Sequence, residues 1–157
     1  MGLILSDKNK ALIIDETKTL SIPNSIDFEI LSVFDDIDVS FEYYSVNDSD
    51  DFEQLLMIFD AFNVDLNQFE HHHINDRYLK LNRLIIIHFN FASSDGNPSI
   101  SKIDNYGSYL NIVTTSDNQK DGFESFDFHQ KIIIIRVNQD DVRNVSICKH
   151  GIEYLKK

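Results

Sequence analysis

The chain has 157 residues, which is the size of one domain with a single hydrophobic core. Its hydrophobic content of 42%, with twelve Phe and six Tyr, argues against intrinsic disorder, and its single cysteine excludes a disulfide within the chain. The formal net charge of −12 disfavours direct binding to nucleic acid or to an anionic membrane, because both need clustered Lys and Arg. We expect a cytoplasmic protein, since the sequence shows no signal peptide and no apolar run of about eighteen residues.

The negative charge is concentrated in one segment. From Thr19 to Asp76 there are fourteen Asp and Glu residues and no Lys or Arg, whereas the rest of the chain carries twelve acidic and fourteen basic residues. A surface needed only for solubility is expected to mix the two signs, because like charges repel and destabilise the fold. The segregation therefore favours a basic partner that binds this segment and relieves the repulsion.

The first elements in chain order are short. Strands are predicted at Ala11–Asp15 and Thr17–Ile22. Apolar residues from Ile26 to Ile37 recur at helical spacing and predict a helix, although part of the same stretch also fits the alternation of a strand. The alternating segment Asp38–Val46 predicts a strand.

The clearest helix of the chain follows. Asp48 or Ser49 is suited to its N-cap, and the pattern continues to about Asn63. Acidic residues in the first turn favour the positive end of the helix dipole. The apolar stripe consists of Phe52, Leu55, Leu56, Phe59 and Phe62.

The second half of the chain is rich in predicted strands, which are Arg83–Phe91, Tyr109–Thr115 and Lys131–Val137. The unbroken isoleucine run in Lys131–Val137 implies burial on both faces, and hence a central position in the sheet. Asp-Gly pairs at 95–96 and 121–122 predict turns. The segment after Gln139 fits either a helix or a strand. The fold class predicted is α+β, a single domain spanning residues 1–157, with a mostly antiparallel sheet and one or two, at most three, helices packed on it.

The residues most suggestive of chemistry have structural interpretations. Three consecutive histidines, His71–His73, cannot all bind one tetrahedral ion from a regular element, so we expect a solvated loop and no metal site. His88 lies in an apolar strand and is expected to be a core or edge histidine whose ring has a hydrogen-bond partner. Cys148 is expected to be a small buried apolar side chain rather than a nucleophile. Loops starting at Asp48 and Asp117 both fail the EF-hand pattern.

Motifs for nucleotide binding, acyl transfer and zinc hydrolysis are absent from the sequence. We therefore expect neither an enzyme nor a cofactor, and the predicted function is binding of a basic protein. The predicted partner-binding residues combine carboxylates with interleaved aromatic side chains, as tight interfaces do. They are Asp35, Asp36, Asp38, Glu42, Tyr43, Tyr44, Asp48, Asp50, Asp51, Phe52 and Glu53.

Two partner classes fit these carboxylates. An immunity protein would present them to the basic cleft of a nuclease toxin, and electrostatic steering would speed the capture of the toxin. A phage-type nucleic-acid mimic would use the same physics against a host defence protein. A structural domain with a solubilising acidic face is the third possibility. The sequence leaves the oligomeric state open.

One stretch carries a family resemblance. Asp50–Phe69 contains the pair Asp50-Asp51 followed by Phe52, spaced apolar residues, and the run Phe62–Leu66 before Phe69. This stretch resembles a helix-and-loop segment of small acidic bacterial toxin-immunity proteins. The resemblance implies the immunity function for about twenty residues of the chain and assigns no residue a role.

Overall fold

The computed structural model of the chain describes residues 14, 16–37, 39, 41–65, 69, 71–92, 98–116 and 128–154. These residues form one α+β domain with two helices and eight strands, and the predicted α+β class is confirmed. The elements are β1 (Asn24–Ile26), β2 (Phe28–Asp35), β3 (Tyr43–Val46), α1 (Ser49–Ala61), α2 (Asp76–Leu81), β4 (Asn82–Ala92), β5 (Ser99–Asn105), β6 (Leu110–Ser116), β7 (Phe128–Asn138) and β8 (Cys148–Tyr154), with 3-10 turns at Glu16–Lys18 and Gln139–Asp141.

The strands form two sheets of four. The central sheet has the order β2-β7-β4-β3 and is antiparallel throughout. The outer sheet has the order β1-β5-β6-β8, in which only the β6–β8 pair is parallel. Side chains from α1 and α2 pack on one face of the central sheet, and the outer sheet covers its other face. The domain therefore has three layers with an apolar core on each side of the central sheet.

The isoleucine run of β7 explains this layering. Ile132 and Ile134 point into the core beneath the helices, whereas Ile133 and Ile135 point into the core between the sheets. All four side chains are at most 2% exposed. A strand that is apolar at every position can be satisfied only by burial on both faces. The predicted central position of this strand is confirmed.

The helix predicted from Ile26 to Ile37 is wrong, because this stretch forms β1 and β2. The pairing of β2 with β7 shifts its register between Ile30 and Ser32. The extra residue at this bulge interrupts the alternation of apolar side chains and produces a spacing that resembles a helix. Pairing with an isoleucine-rich strand outweighs the weak local preference for a helix.

Of the other helices and strands predicted from the sequence, some are confirmed, some are wrong, and some lie outside the described residues. The helix predicted from Asp48 or Ser49 is confirmed as α1, and the three predicted strands of the second half are confirmed as β4, β6 and β7. The strand predicted at Thr17–Ile22 is wrong, since its first residues belong to a 3-10 turn and the others to no strand. Of the predicted strand 38–46, Tyr43–Val46 forms β3, whereas the other residues of this range that the structure describes lie in no strand. The predicted strand 11–15, apart from residue 14, and both Asp-Gly turns lie outside the described residues.

Candidate docking surface

The start of α1 uses two of the predicted docking carboxylates for its own stability. Asp48 is the N-cap, and its Oδ1 accepts a hydrogen bond of 2.9 Å from the backbone N–H of Asp51. In return, Asp51 Oδ2 accepts a hydrogen bond of 3.0 Å from the backbone N–H of Asn47. This reciprocal arrangement satisfies amide groups that have no partner within the helix. Asp51 is only 2% exposed, so it is a structural residue.

Two of the predicted aromatic anchors are core residues. Tyr44 is fully buried, and its hydroxyl lies 3.1 Å from both the backbone oxygen of Asp51 and the Oε1 of Gln54. Phe52 is buried on the inner face of α1. Because a partner cannot reach these side chains without unfolding the helix, Tyr44, Asp51 and Phe52 are removed from the predicted docking set.

Tyr43 points toward the opposite face of the central sheet from Tyr44. It is half-buried and packs against the core between the two sheets. Its hydroxyl is buried and has no hydrogen-bond partner within the described part of the chain. Burial, and secondarily the negative charges of a Cys148 thiolate and of Glu42, raises the pKa of Tyr43 above its usual range. Tyr43 is therefore a poor candidate for a surface anchor.

The remaining acidic residues of the predicted set are exposed, with Asp38 lying outside the described residues. They separate into two groups and one isolated residue. The strand-end group is Asp35 and Asp36, where β2 ends, and the helix-start group is Asp48, Asp50 and Glu53. The helix-start group lies at the beginning of α1, and because α1 has thirteen residues, the other end of the helix is about 20 Å away.

Glu42 is the isolated residue. Its backbone oxygen accepts from the N–H of His88 in β4, and the N–H of Asp36 donates to Gln130 in β7. Glu42 and Asp36 therefore lie toward the same end of the central sheet but on its opposite edges, about 14 Å apart across three strand spacings. The structure thus does not bring all the predicted carboxylates onto one compact face.

A groove of roughly 370 Å³ lies beside the strand-end group. It is lined by Val33, Phe34, Asp35, Ile37, Asn63 and Asp65. The apolar side chains form a surface for an aliphatic stem, and the two carboxylates supply negative charge for a cationic head. An arginine or lysine side chain has this combination of an apolar stem and a charged end.

The end of α1 positions Asp65 at this groove. Asn63 has a φ of 59°, in the left-handed region, and the backbone N–H of Val64 donates to Phe59 over 2.9 Å. The N–H of Asn63 also donates to Asp60, which completes a Schellman motif. Asp65 was not among the residues predicted for docking. An asparagine directly after an apolar helical stripe is the sequence signal that could have located this turn.

The three histidines lie in a turn before α2. His71 is half-buried, with Nδ1 2.9 Å from the backbone oxygen of Phe69, whereas His72 and His73 are exposed. The ring of His73 contacts Tyr78 edge-on at 5.2 Å between centroids. Within the described ranges, no group of three or more His, Cys, Asp or Glu side chains is arranged to hold a metal ion.

The two other residues considered for chemistry have structural environments. His88 is buried, and its Nε2 lies 3.2 Å from the Oε1 of Gln130, which confirms the prediction of a satisfied core histidine. Burial raises the pKa of Cys148 to about 12, and the nearby Arg83 only partly opposes this rise. The thiol therefore stays protonated near neutral pH, whereas nucleophilic chemistry needs the thiolate.

Comparisons of the chain with protein-family models, with curated proteins and with solved structures find no match. Among the described residues, no helix has the length and apolar character needed to cross a membrane.

Proposed function

We propose that this protein binds and neutralises a basic protein, and that its partner is a bacterial nuclease toxin, so that the chain acts as a cytoplasmic immunity protein. One observation carries the proposal. Asp35, Glu42, Asp50 and Glu53 are exposed and form no ion pair with any residue that the structure describes. Negative charge left uncompensated on a folded surface is relieved by a partner of opposite charge.

The basic side chains of β7 that lie beside β2 are already engaged. Arg136 lies 3.4 Å from Glu29, and the ammonium group of Lys131 is buried and donates to the backbone oxygen of Pro98. His129 lies 3.6 Å from Asp36 and compensates it only when protonated. The surface around α1 and the end of β2 therefore keeps a strong negative field. Such a field attracts a nuclease, because the cleft that holds nucleic-acid phosphates is basic.

The test is a titration of nuclease activity. A partner is identified by pull-down or from the adjacent gene, and its cleavage of plasmid DNA is measured as this protein is added. We expect activity to fall to zero at a fixed stoichiometry, with weaker inhibition as salt rises. A partner that is bound but retains full nuclease activity, or a protein that binds no basic partner at micromolar concentration, would contradict the proposal.

A second candidate is a nucleic-acid mimic that blocks a host defence protein. The helix-start group lies at one end of α1, which is about 20 Å long, and Asp35 of the strand-end group lies at a groove beside the other end. This spread favours a mimic, because a mimic distributes its acids as a duplex distributes its phosphates. A mimic should compete with DNA for its target without regard to sequence, and its gene should lie in a phage cluster. A toxin gene upstream would favour the immunity function instead. If neither kind of partner is found, a solubilising acidic face is the remaining interpretation.

A further inference from the structure

β2 lies at one edge of the central sheet that the described strands form. Among the described strands it pairs with β7 alone, while its other side has no strand neighbour. The backbone N–H of Asp36 donates to Gln130 in β7 over 2.7 Å. Along antiparallel strands, hydrogen-bonded pairs alternate with non-hydrogen-bonded pairs, so the backbone of Phe34 also bonds to β7. The backbone N–H and C=O groups of Val33 and Asp35 therefore point away from β7, toward the outer edge of β2.

This outer edge carries side chains suited to an added strand. Ile30 and Val33 are each 40% exposed, although most aliphatic residues of the central sheet are buried. The groove lies at the same end of β2, because Val33, Phe34 and Asp35 line it together with Asn63 and Asp65, which follow α1. Backbone hydrogen-bonding groups, exposed aliphatic side chains and an acidic groove therefore meet at one place.

We infer that the outer edge of β2 is a docking strand for an extended basic segment of the partner protein. The segment adds to the central sheet beside Val33 and Asp35, and one of its Arg or Lys side chains occupies the groove between Asp35 and Asp65. Backbone pairing would supply affinity, and the groove would select for a cation. This inference rests on the proposed function and names the part of the surface that the partner contacts.

The charges along β2 favour a basic occupant over a second copy of this chain. Asp27 and Glu29 lie at the beginning of the strand, and Asp35 and Asp36 lie at its end. A second copy pairing through β2, in either direction, would place acidic residues against acidic residues. Edge strands are commonly protected from self-association in this way. A segment rich in Lys and Arg would meet opposite charge at both ends.

The test uses a synthetic probe and the full-length protein labelled with nitrogen-15. The probe is a capped peptide of eight residues in which Lys or Arg alternates with Val. Its control has the same sequence, but every second residue has the D configuration, so its charge is the same and it cannot form a regular strand. Amide shifts and amide hydrogen exchange are followed by NMR during titration with each peptide.

We expect the all-L peptide to bind at least tenfold more tightly than the control, with shifts concentrated in 28–36 and slower exchange at the amides of Val33 and Asp35. Asp35→Asn should weaken this binding at least threefold, whereas the matched change Asp141→Asn, in the 3-10 turn beyond the other end of β7, should leave it unchanged. Equal binding of the two peptides, shifts centred on the helix-start group, or no binding of either peptide would overturn the inference.

Two further results would also overturn it. If sedimentation shows a dimer whose formation protects the amides of Val33 and Asp35, the edge belongs to a second copy. If those two amides already exchange slowly in the free monomer, the edge is covered by the chain itself. The nuclease titration decides the proposed function separately. A protein that inhibits a basic nuclease but fails the peptide test has the proposed function and a different docking site.

Discussion

Replacing either of the adjacent residues Tyr43 and Tyr44 by Phe should change the free energy of unfolding, and the two changes should have opposite signs. Each phenol is replaced by Phe, which removes one oxygen atom and leaves the ring in place. Tyr44 has two hydrogen-bond acceptors at 3.1 Å, whereas the buried hydroxyl of Tyr43 has none among the described residues.

The magnitudes follow from these environments. Tyr44→Phe loses a hydrogen bond that contributes about 0.5–1.5 kcal/mol to the free energy of unfolding. Tyr43→Phe removes a buried donor without a partner, for which the desolvation penalty is about 1–3 kcal/mol. We therefore expect Tyr43→Phe to raise the free energy of unfolding by about 1 kcal/mol and Tyr44→Phe to lower it by a similar amount. In a domain of this size, 1 kcal/mol corresponds to about 2–4 °C in Tm.

Urea denaturation followed by circular dichroism measures both changes. The slope of free energy against urea concentration should be the same for the two variants and the parent, so that the midpoints can be compared directly. The reasoning is refuted if Tyr43→Phe destabilises the protein as much as Tyr44→Phe does, because the hydroxyl of Tyr43 would then have a partner.

Three other predictions concern the fold. Ile134→Ala should lower the free energy of unfolding, measured by urea denaturation, by about 2–5 kcal/mol because Ile134 is fully buried in β7. The matched change Ile22→Ala should lower it by less than about 0.5 kcal/mol because Ile22 is 81% exposed, and similar losses would contradict the layering. Asp48→Ala should lower the free energy of unfolding by about 1 kcal/mol, while Asp48→Asn, which keeps the N-cap acceptor, should be nearly neutral; equal losses would argue against the capping role. The pKa of Cys148 is raised from 9.0 to about 12, so the folded state favours the protonated thiol, and its contribution to stability should be complete below pH 9 and lost as the pH rises through about 12. Cys148→Ala should flatten the dependence of unfolding free energy on pH in this range, and an unchanged slope would contradict the assignment.

The spacing of apolar residues was sufficient to predict an element where that element shows a single clear pattern. The isoleucine run at Ile132–Ile135 indicated a strand buried on both faces, and the apolar stripe after Asp48 indicated a helix. Both elements are long enough for their patterns to be unambiguous. The second, outer sheet could not be predicted, because β5 and β8 are defined by their long-range pairing with β6 rather than by a local pattern.

The docking surface could likewise be predicted only in part from the sequence. The charge of the segment was visible in the sequence, but its distribution in space was not. Asp51, Phe52 and Tyr44 lie close to exposed acids in the sequence and are nevertheless buried. Asp51 belongs to the cap of α1, Phe52 lies on the inner face of α1, and Tyr44 lies on the face of β3 that packs in the same core. Asp65 lies far from Asp35 in the sequence, yet the turn at Asn63 brings it to the same groove.

The claim that the acids near the end of β2 attract a basic partner is tested most directly by association kinetics. The partner is bound at two salt concentrations to the parent, to a variant carrying Asp35→Asn and Asp36→Asn, and to a control carrying Asp140→Asn and Asp141→Asn. Both variants lose two exposed charges, and the control pair lies beyond the other end of β7, about 25 Å away.

We predict that the first variant associates about three- to tenfold more slowly than the parent at low salt, and that the difference shrinks as salt screens the charges. The control should associate at nearly the parental rate at both salt concentrations. Equal slowing of the two variants would mean that the partner responds to net charge alone, and it would contradict a docking surface at the end of β2.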